Sequence, residues 1–247
     1  MNIDQSMGWD KMTDIVIPLG NGSGFDNQEL RFALRSVEKF VEDCGTVWIV
    51  SDCAPDWLQN VRILPVPDRH KHNKDANLFD KLIFAAKMPE VSEAFVFLSD
   101  DQVFLQTFRA EKARTVFNSR GLGFFAASDH KWHRRMANTF AFLKSRGICR
   151  PYNFDAHVPV VYRKTDFAVL DGIDYTSEPG FCINTLLCGL LGRRGEVQQS
   201  KVKASADGKS QTVDLARKLY AGYNNGGFPV MQEKLQDLFP EKSKFEK

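Results

Sequence analysis

Residues 95–105, Phe-Val-Phe-Leu-Ser-Asp-Asp-Gln-Val-Phe-Leu, set two adjacent carboxylates inside an apolar run. A run this rich in Phe and Val reads as a strand buried on both faces, the kind from which parallel sheets are built. Asp is depleted from strands, and an ionised carboxylate taken out of water is costly unless it is paired or holds a cation. Asp100 and Asp101 are therefore expected where the strand leaves the sheet, at its carboxyl end, the edge at which open α/β sheets hold ligands. A single Asp there reads as a turn residue bonded to a nearby backbone N–H. Two in succession, framed by apolar residues, point to a metal or phosphate site.

The preceding segments supply the rest of such a sheet. Residues 14–19 form a short apolar strand followed by Gly20, Asn21, Gly22, Ser23 and Gly24, a loop with little side-chain bulk to keep a nucleotide away. Its glycine spacing matches neither a P-loop nor a dinucleotide fingerprint. Residues 27–42 read as a helix with Leu30, Ala33, Leu34, Val37 and Val41 on one face; Arg31 and Arg35 lie one turn apart on its flank. Planar guanidinium forks suit phosphate, so this pair competes for a diphosphate. Residues 46–51 and 61–66 read as two further strands. A polar loop at 68–75 carries His70 and His72, and a helix at 77–88 brings Asn77 and Lys81 to one line. Strand, helix, strand, strand, helix, strand is an α/β order, expected to give a mostly parallel sheet flanked by helices.

The second half is less regular. Residues 123–128 read as a strand ending at Asp129 and His130, and residues 131–146 as a helix with Trp132, Met136, Phe140 and Leu143 on one face. Lys131, His133, Arg134 and Arg135 make a local basic cluster. His157 stands two residues after Asp155 and just before a strand. Residues 181–191 form an apolar helix, 197–211 a polar loop, and 214–247 two short helices around Asn224–Gly227. No domain boundary is evident, so the chain reads as one domain: a core over 12–165 and a helical extension and tail over 166–247.

A net charge of +2 gives no overall polyanion-binding character. No apolar run approaches the roughly 20 residues that cross a bilayer. Residues 1–11 lack the apolar centre of a signal peptide. The five cysteines form no Cys-x-x-Cys pair, which argues against a zinc site or a disulfide framework and for a reducing cytoplasm (the host's, if the protein is phage-encoded).

The segment Glu29-Leu-Arg-Phe-Ala-Leu-Arg-Ser-Val-Glu-Lys-Phe40, the strand at 47–50, Pro55-Asp-Trp-Leu58 and the run through Asp100 and Asp101 resemble the second conserved region of Stealth proteins. Asp155-Ala-His-Val-Pro159 is similar to the family's later His-x-Pro region, and residues 240–246 are similar to endings of related phage and bacterial glycosyltransferase-like proteins. The resemblance covers most of residues 13–165. It implies a GT-A-like nucleotide-sugar fold, a nucleotide-diphosphate-sugar donor and Mg²⁺ or Mn²⁺. The chain departs from the family at its opening motif, where Ile17 to Gly22 stand, and at Ser99, where the family commonly has Asn. Those departures favour glycosyl transfer over the family's hexose-1-phosphate transfer.

The resulting expectation is a metal-dependent glycosyltransferase. Leu19, Gly20, Asn21 and Gly22 would hold the nucleoside. Arg31, Arg35, Asn77, Lys81 and Asp100 would meet the rest of the donor, and Asp101 with Asp100 would hold the metal. His157, Asp100 and Asp129 are the candidate catalytic groups, and His130, Lys131, Arg134 and Arg135 face the acceptor. The acceptor would be a glycan or a hydroxymethylated DNA base. Hexose-1-phosphate transfer to a glycan and a non-catalytic nucleotide-sugar-binding protein are the alternatives.

Overall fold

The computed structural model describes residues 12–120, 122–126, 129–199, 201–203, 215–224 and 226–247. In chain order the elements are β1 (Thr13–Pro18), α1 (Gln28–Phe40), β2 (Cys44–Val50), β3 (Arg62–Leu64), α2 (Lys74–Lys87), β4 (Ala94–Phe97), β5 (Gln102–Phe104), β6 (Val116–Phe117), α3 (Leu122–Ala126), α4 (Lys131–Ser145), β7 (Val160–Arg163), α5 (Ile183–Leu190), β8 (Glu196–Val197), β9 (Lys201–Lys203), β10 (Tyr220–Gly222) and α6 (Phe228–Leu238). The central sheet has the order β3-β2-β1-β4-β7. Its first four strands are parallel and β7 is antiparallel to β4. This is the mostly parallel, helix-flanked α/β class expected from the order of elements.

Both faces of the sheet are covered, which explains why its strands read as unbroken apolar runs. Ile15 and Ile17 of β1 pack with Leu30, Ala33, Leu34 and Val37 of α1 on one side. Val16, Trp48, Phe95 and Phe97 pack with Phe79, Leu82 and Ala85 of α2 on the other. The period-two alternation of strand side chains thus feeds two separate cores. At the amino edge, Asp14 accepts from the Thr46 N–H (2.8 Å), the Trp48 indole N–H (2.8 Å) and the Ser92 N–H (2.9 Å). A Cβ on Gly45 would lie 2.5 Å from this carboxylate, so glycine is required beside it.

The run 95–105 is two strands. β4 ends at Phe97, and the Leu98 N–H still donates to the Val16 carbonyl (3.0 Å). Ser99 to Gln102 then form a turn closed in both directions: the Gln102 N–H donates to the Ser99 carbonyl, and the Ser99 N–H to Gln102 Oε1, each 3.2 Å. β5 leaves for a second sheet of order β5-β10-β9. Asp100 and Asp101 sit in the turn joining the two sheets, at the carboxyl edge of the first.

Several local expectations are corrected. Residues 122–126 are the short helix α3 where a strand was expected, and Ala127 and Ser128 lie outside the described residues. α2 begins at Lys74 rather than Asn77, because Asn73 caps it by accepting from the Ala76 N–H (3.2 Å). The segment before Asn224 is strand β10, preceded by a 3₁₀ turn at Leu215–Arg217; of the two expected tail helices only α6 is present. The polar loop at 197–211 includes β9, while Ser200 and 204–214 lie outside the described residues, as do residues 1–11. Among the described residues, no helix is long and apolar enough to cross a membrane.

Candidate active site

A cavity of about 730 Å³ opens at the carboxyl edge of the central sheet. One wall is the loop after β1, with Gly20, Asn21, Gly22 and Ser23, together with Glu29 at the start of α1. Ser23 organises this wall: its hydroxyl accepts from the backbone N–H of Phe25 and of Asn27 (both 3.1 Å) and donates to Glu29 (2.8 Å). The facing wall is the loop before α2 and the cavity-facing line of its first turns: His70, Lys71, Lys74, Asn77 and Lys81. Lys81 is buried and donates to the Leu19 carbonyl and to Asp68, both at 2.6 Å, so it ties the two walls together. Asn77 bridges the His70 backbone, its Oδ1 accepting from the N–H (2.8 Å) and its Nδ2 donating to the carbonyl (3.1 Å). Lys71 and Lys74 have no carboxylate partner among the described residues. A Cβ on Gly22 would lie 3.3 Å from Lys74 Nζ, which places that ammonium directly across from the glycine loop.

The floor is the Asp100–Asp101 turn. Burial, together with the nearby charges of Asp101 and Glu29, pushes the Asp100 carboxyl up to about 7, against the pull of backbone hydrogen bonds. Asp101 Oδ2 lies 3.3 Å from His157 Nε2. That nitrogen is buried and makes no hydrogen bond, so the contact has ion-pair distance without donor–acceptor alignment. His157 holds a left-handed backbone conformation (φ 55), uncommon for a residue with a Cβ. Its ring rests on Gly222 of β10, where a Cβ would come 2.5 Å from Cδ2. Gly222 pairs with Gln102 of β5, and the Tyr223 N–H donates to the Asp101 carbonyl (3.1 Å). The second sheet therefore holds Asp101 and His157 in register with each other.

The floor offers part of a cation's donor set. Asp101 Oδ2 faces the His157 imidazole, and the buried Nε2 makes no hydrogen bond among the described residues, which is costly unless something binds it. Among the described residues, no three His, Cys, Asp or Glu side chains converge as a complete ligand set. Donor oxygens would have to finish the coordination.

The far end is built from Asp155, Ile183, Asn184 and Trp132. Asp155 accepts from the Thr185 N–H (2.9 Å) in the first turn of α5, and burial raises its pKa against that hydrogen bonding. Asp75 also lines the cavity and pairs with Arg135. Burial raises Asp75 to about 6, opposed by Arg135 and assisted by the charge of Asp155.

Of the residues singled out in the sequence, the cavity brings together Gly20, Asn21, Gly22, Asn77, Lys81, Asp100, Asp101 and His157. Leu19 takes part through its carbonyl alone. Arg31 and Arg35 do not line it. Arg35 Nε and Nη2 donate to the two oxygens of Glu246 (2.8 and 2.9 Å), Arg31 Nη1 donates to the same carboxylate (2.9 Å), and the Arg31 guanidinium lies 3.9 Å from the Trp57 ring centroid. The acceptor-side cluster is absent from the lining as well. Asp129, His130, Lys131 and Arg134 are exposed, with Lys131 donating to the His72 carbonyl (2.7 Å). Arg135 is buried between Asp75 and the Pro179 carbonyl.

The cavity residues not singled out are Asp68, Lys71, Lys74, Asp75, Asn184 and Trp132, with Asp155 noted only as a neighbour of His157. A signal for one of them was present: Lys74, Asn77 and Lys81 fall at i, i+3 and i+7, one face of a helix capped by Asn73.

No protein-family model matches the chain, and no curated protein does. Among solved structures, the galactosyltransferase LgtC in complex with donor and acceptor sugar analogs is similar at 12% identity over 94% of this chain and 98% of that one, with a TM-score of 0.48. An active-site mutant of LgtC is similar at 11% identity over the same shares, with a TM-score of 0.48.

Proposed function

We propose that this chain transfers a sugar from a nucleotide-diphosphate donor to an acceptor hydroxyl. The observation that carries the reading is the division of one cavity into a glycine loop facing unpaired lysines and a carboxylate–imidazole floor facing a further carboxylate. The loop at Gly20–Ser23 admits the nucleoside. Lys71, Lys74 and the positive N-terminal end of α2 meet the diphosphate, in place of Arg31 and Arg35. Asp101, Asp100 and His157 would hold Mg²⁺ or Mn²⁺. A bound cation supplies charge neutralisation on the departing diphosphate.

His157 turns its free nitrogen toward Asp101, which suits it to holding that floor and not to receiving the acceptor proton. Asp155, which lines the cavity and is held by Thr185, would take the proton. In the transfer, the bond from the anomeric carbon to the diphosphate oxygen breaks and the bond to the acceptor oxygen forms. The acceptor proton passes to the carboxylate, and the diphosphate leaves as the nucleotide.

Donor turnover, including slow transfer to water, is the test. Asp101→Ala is expected to lower it by at least about 100-fold, as loss of a group stabilising the developing charge does, and wild-type turnover is expected to require Mg²⁺ or Mn²⁺. Full turnover by Asp101→Ala in chelator would overturn the assignment. Recovery of nucleoside monophosphate in place of diphosphate would point to hexose-1-phosphate transfer. Tight donor binding without turnover would point to a binding protein.

A further inference from the structure

We propose that the end of the cavity beneath Trp132 is a subsite for a neutral, polyhydroxylated ring, a pyranose acceptor stacked on the indole, and that it excludes a phosphate-backboned acceptor. This rests on the glycosyl-transfer reading and names the acceptor class for the same site.

Trp132 lines the cavity from the first turn of α4 and is half-buried. Its ring is held by the fully buried Phe125, edge to face at 5.4 Å and 81°, and by His133 at 5.5 Å. A rigid aromatic face with its edges packed offers contact area at little entropic cost, and the C–H face of a pyranose is its natural partner.

The groups around it suit hydroxyls. Asn184 uses its Oδ1 to accept from the Tyr162 hydroxyl (2.7 Å), which orients its amide N–H₂ as the remaining donor. Asp155 is fixed by Thr185, and a carboxylate with four lone-pair sites keeps accepting capacity beyond that bond. Ile183 completes an apolar patch at the same end.

The charges argue against a polyanion. The lysines that line the cavity, Lys71, Lys74 and Lys81, come from α2 and the loop before it, the donor side. At the Trp132 end the charged lining groups are the carboxylates Asp75 and Asp155. The cation in contact with Asp75, Arg135, is consumed by it and by the Pro179 carbonyl. Lys131 is turned to the His72 carbonyl and does not line the cavity. A phosphate placed here would meet the negative charge of Asp75 and Asp155 with no unpaired cation among the described lining groups at this end, whereas a neutral ring would not.

Saturation-transfer NMR with methyl β-glucoside, methyl β-galactoside and methyl α-mannoside, alongside a short single-stranded oligonucleotide, tests this on the full chain. Calorimetric titration with nucleoside diphosphates and Mn²⁺ is run in parallel. At least one glycoside is expected to bind, at least tenfold more weakly to Trp132→Ala and within about threefold of wild type to Trp132→Phe, with nucleotide affinity unchanged in both. If nucleotide binds and no glycoside does, or if Trp132→Ala binds glycosides as wild type does, the subsite is wrong and the donor reading stands. If the oligonucleotide binds and Trp132→Ala abolishes that binding, the acceptor class is wrong. If neither nucleotide nor glycoside binds, both readings fall.

Discussion

α1 and α2 each follow a strand of the central sheet, and each carries basic side chains on a polar flank: Arg31 and Arg35 on one, Lys74 and Lys81 on the other. Their fates are opposite. The arginines close on Glu246, 211 residues from Arg35, and pin the C-terminal segment across α1. The same segment is tied to the loop after β2, where the Gln59 N–H donates to the Phe245 carbonyl and the Lys247 N–H to the Trp57 carbonyl. The lysines stay at the cavity, Lys74 without a carboxylate and Lys81 joining two walls. Helical spacing tells which side chains share a face and says nothing about what that face meets. Arginine, with its planar fork, became a structural clasp here; of the lysines, Lys81 is tied to Asp68 and the Leu19 carbonyl, and Lys74, a point charge on a flexible stem, is exposed at the cavity.

The largest test of that contrast removes the clasp. Glu246→Ala leaves two guanidiniums beside an apolar surface with no counter-charge, and is expected to cost about 3 kcal/mol, the low end for breaking a buried pair because Arg31 and Arg35 keep some solvent access. Urea unfolding measures the loss. Nucleoside-diphosphate affinity of the folded protein should not change; a fall in affinity would return Arg31 and Arg35 to the donor site.

Acid gives a second test of similar size. Burial alone would raise the Glu246 carboxyl, but hydrogen bonds from Arg35, the Ser243 N–H and Arg31 outweigh it and hold the carboxyl down at about 2, against 4.5 for an ordinary Glu. A group with a lowered folded pKa contributes its full stability above its unfolded value and loses it as pH falls through the folded one. Unfolding free energy should therefore drop between about pH 4.5 and pH 2 by about 3 kcal/mol from this group. Comparing Glu246→Gln with wild type over that range should remove this part of the slope.

The smallest effect concerns the other helix. Lys74→Ala is expected to weaken nucleoside-diphosphate binding about tenfold, about 1.4 kcal/mol, with no change in melting temperature, since Lys74 is exposed and has no ion-pair partner among the described residues. Unchanged affinity by calorimetric titration would take Lys74 out of the donor site.

Much of the fold was readable before any coordinates. β1, β2, β4 and the helices between them announced themselves through apolar runs and 3.6-residue periodicity, because each is buried against a large neighbour. α3 and β10 did not. Five residues are too few to show a helical period. Tyr220–Gly222 forms a strand because β5 and β9 lie on either side of it, and it contains the glycine that the His157 ring requires. The Asp100–Asp101 turn and the glycine loop were placed correctly at the carboxyl edge. Trp132 was assigned to an apolar face of α4, which its contact with Phe125 supports, while its other side faces the cavity.

The order and burial of the core elements are encoded locally, since a strand covered on both faces must be apolar throughout and a covered helix must be apolar on one stripe. That information placed two carboxylates at the carboxyl edge of the sheet, where the cavity opens. The partner of each charge is a different matter. Glu246 reaches Arg35, Asp75 reaches Arg135 and Asp101 reaches His157 across 211, 60 and 56 residues of chain. Such pairings arise when separate elements converge, and no periodicity within either partner records them. Folding thereby sorted chemically equivalent charges into those that hold the molecule together and those left lining the cavity.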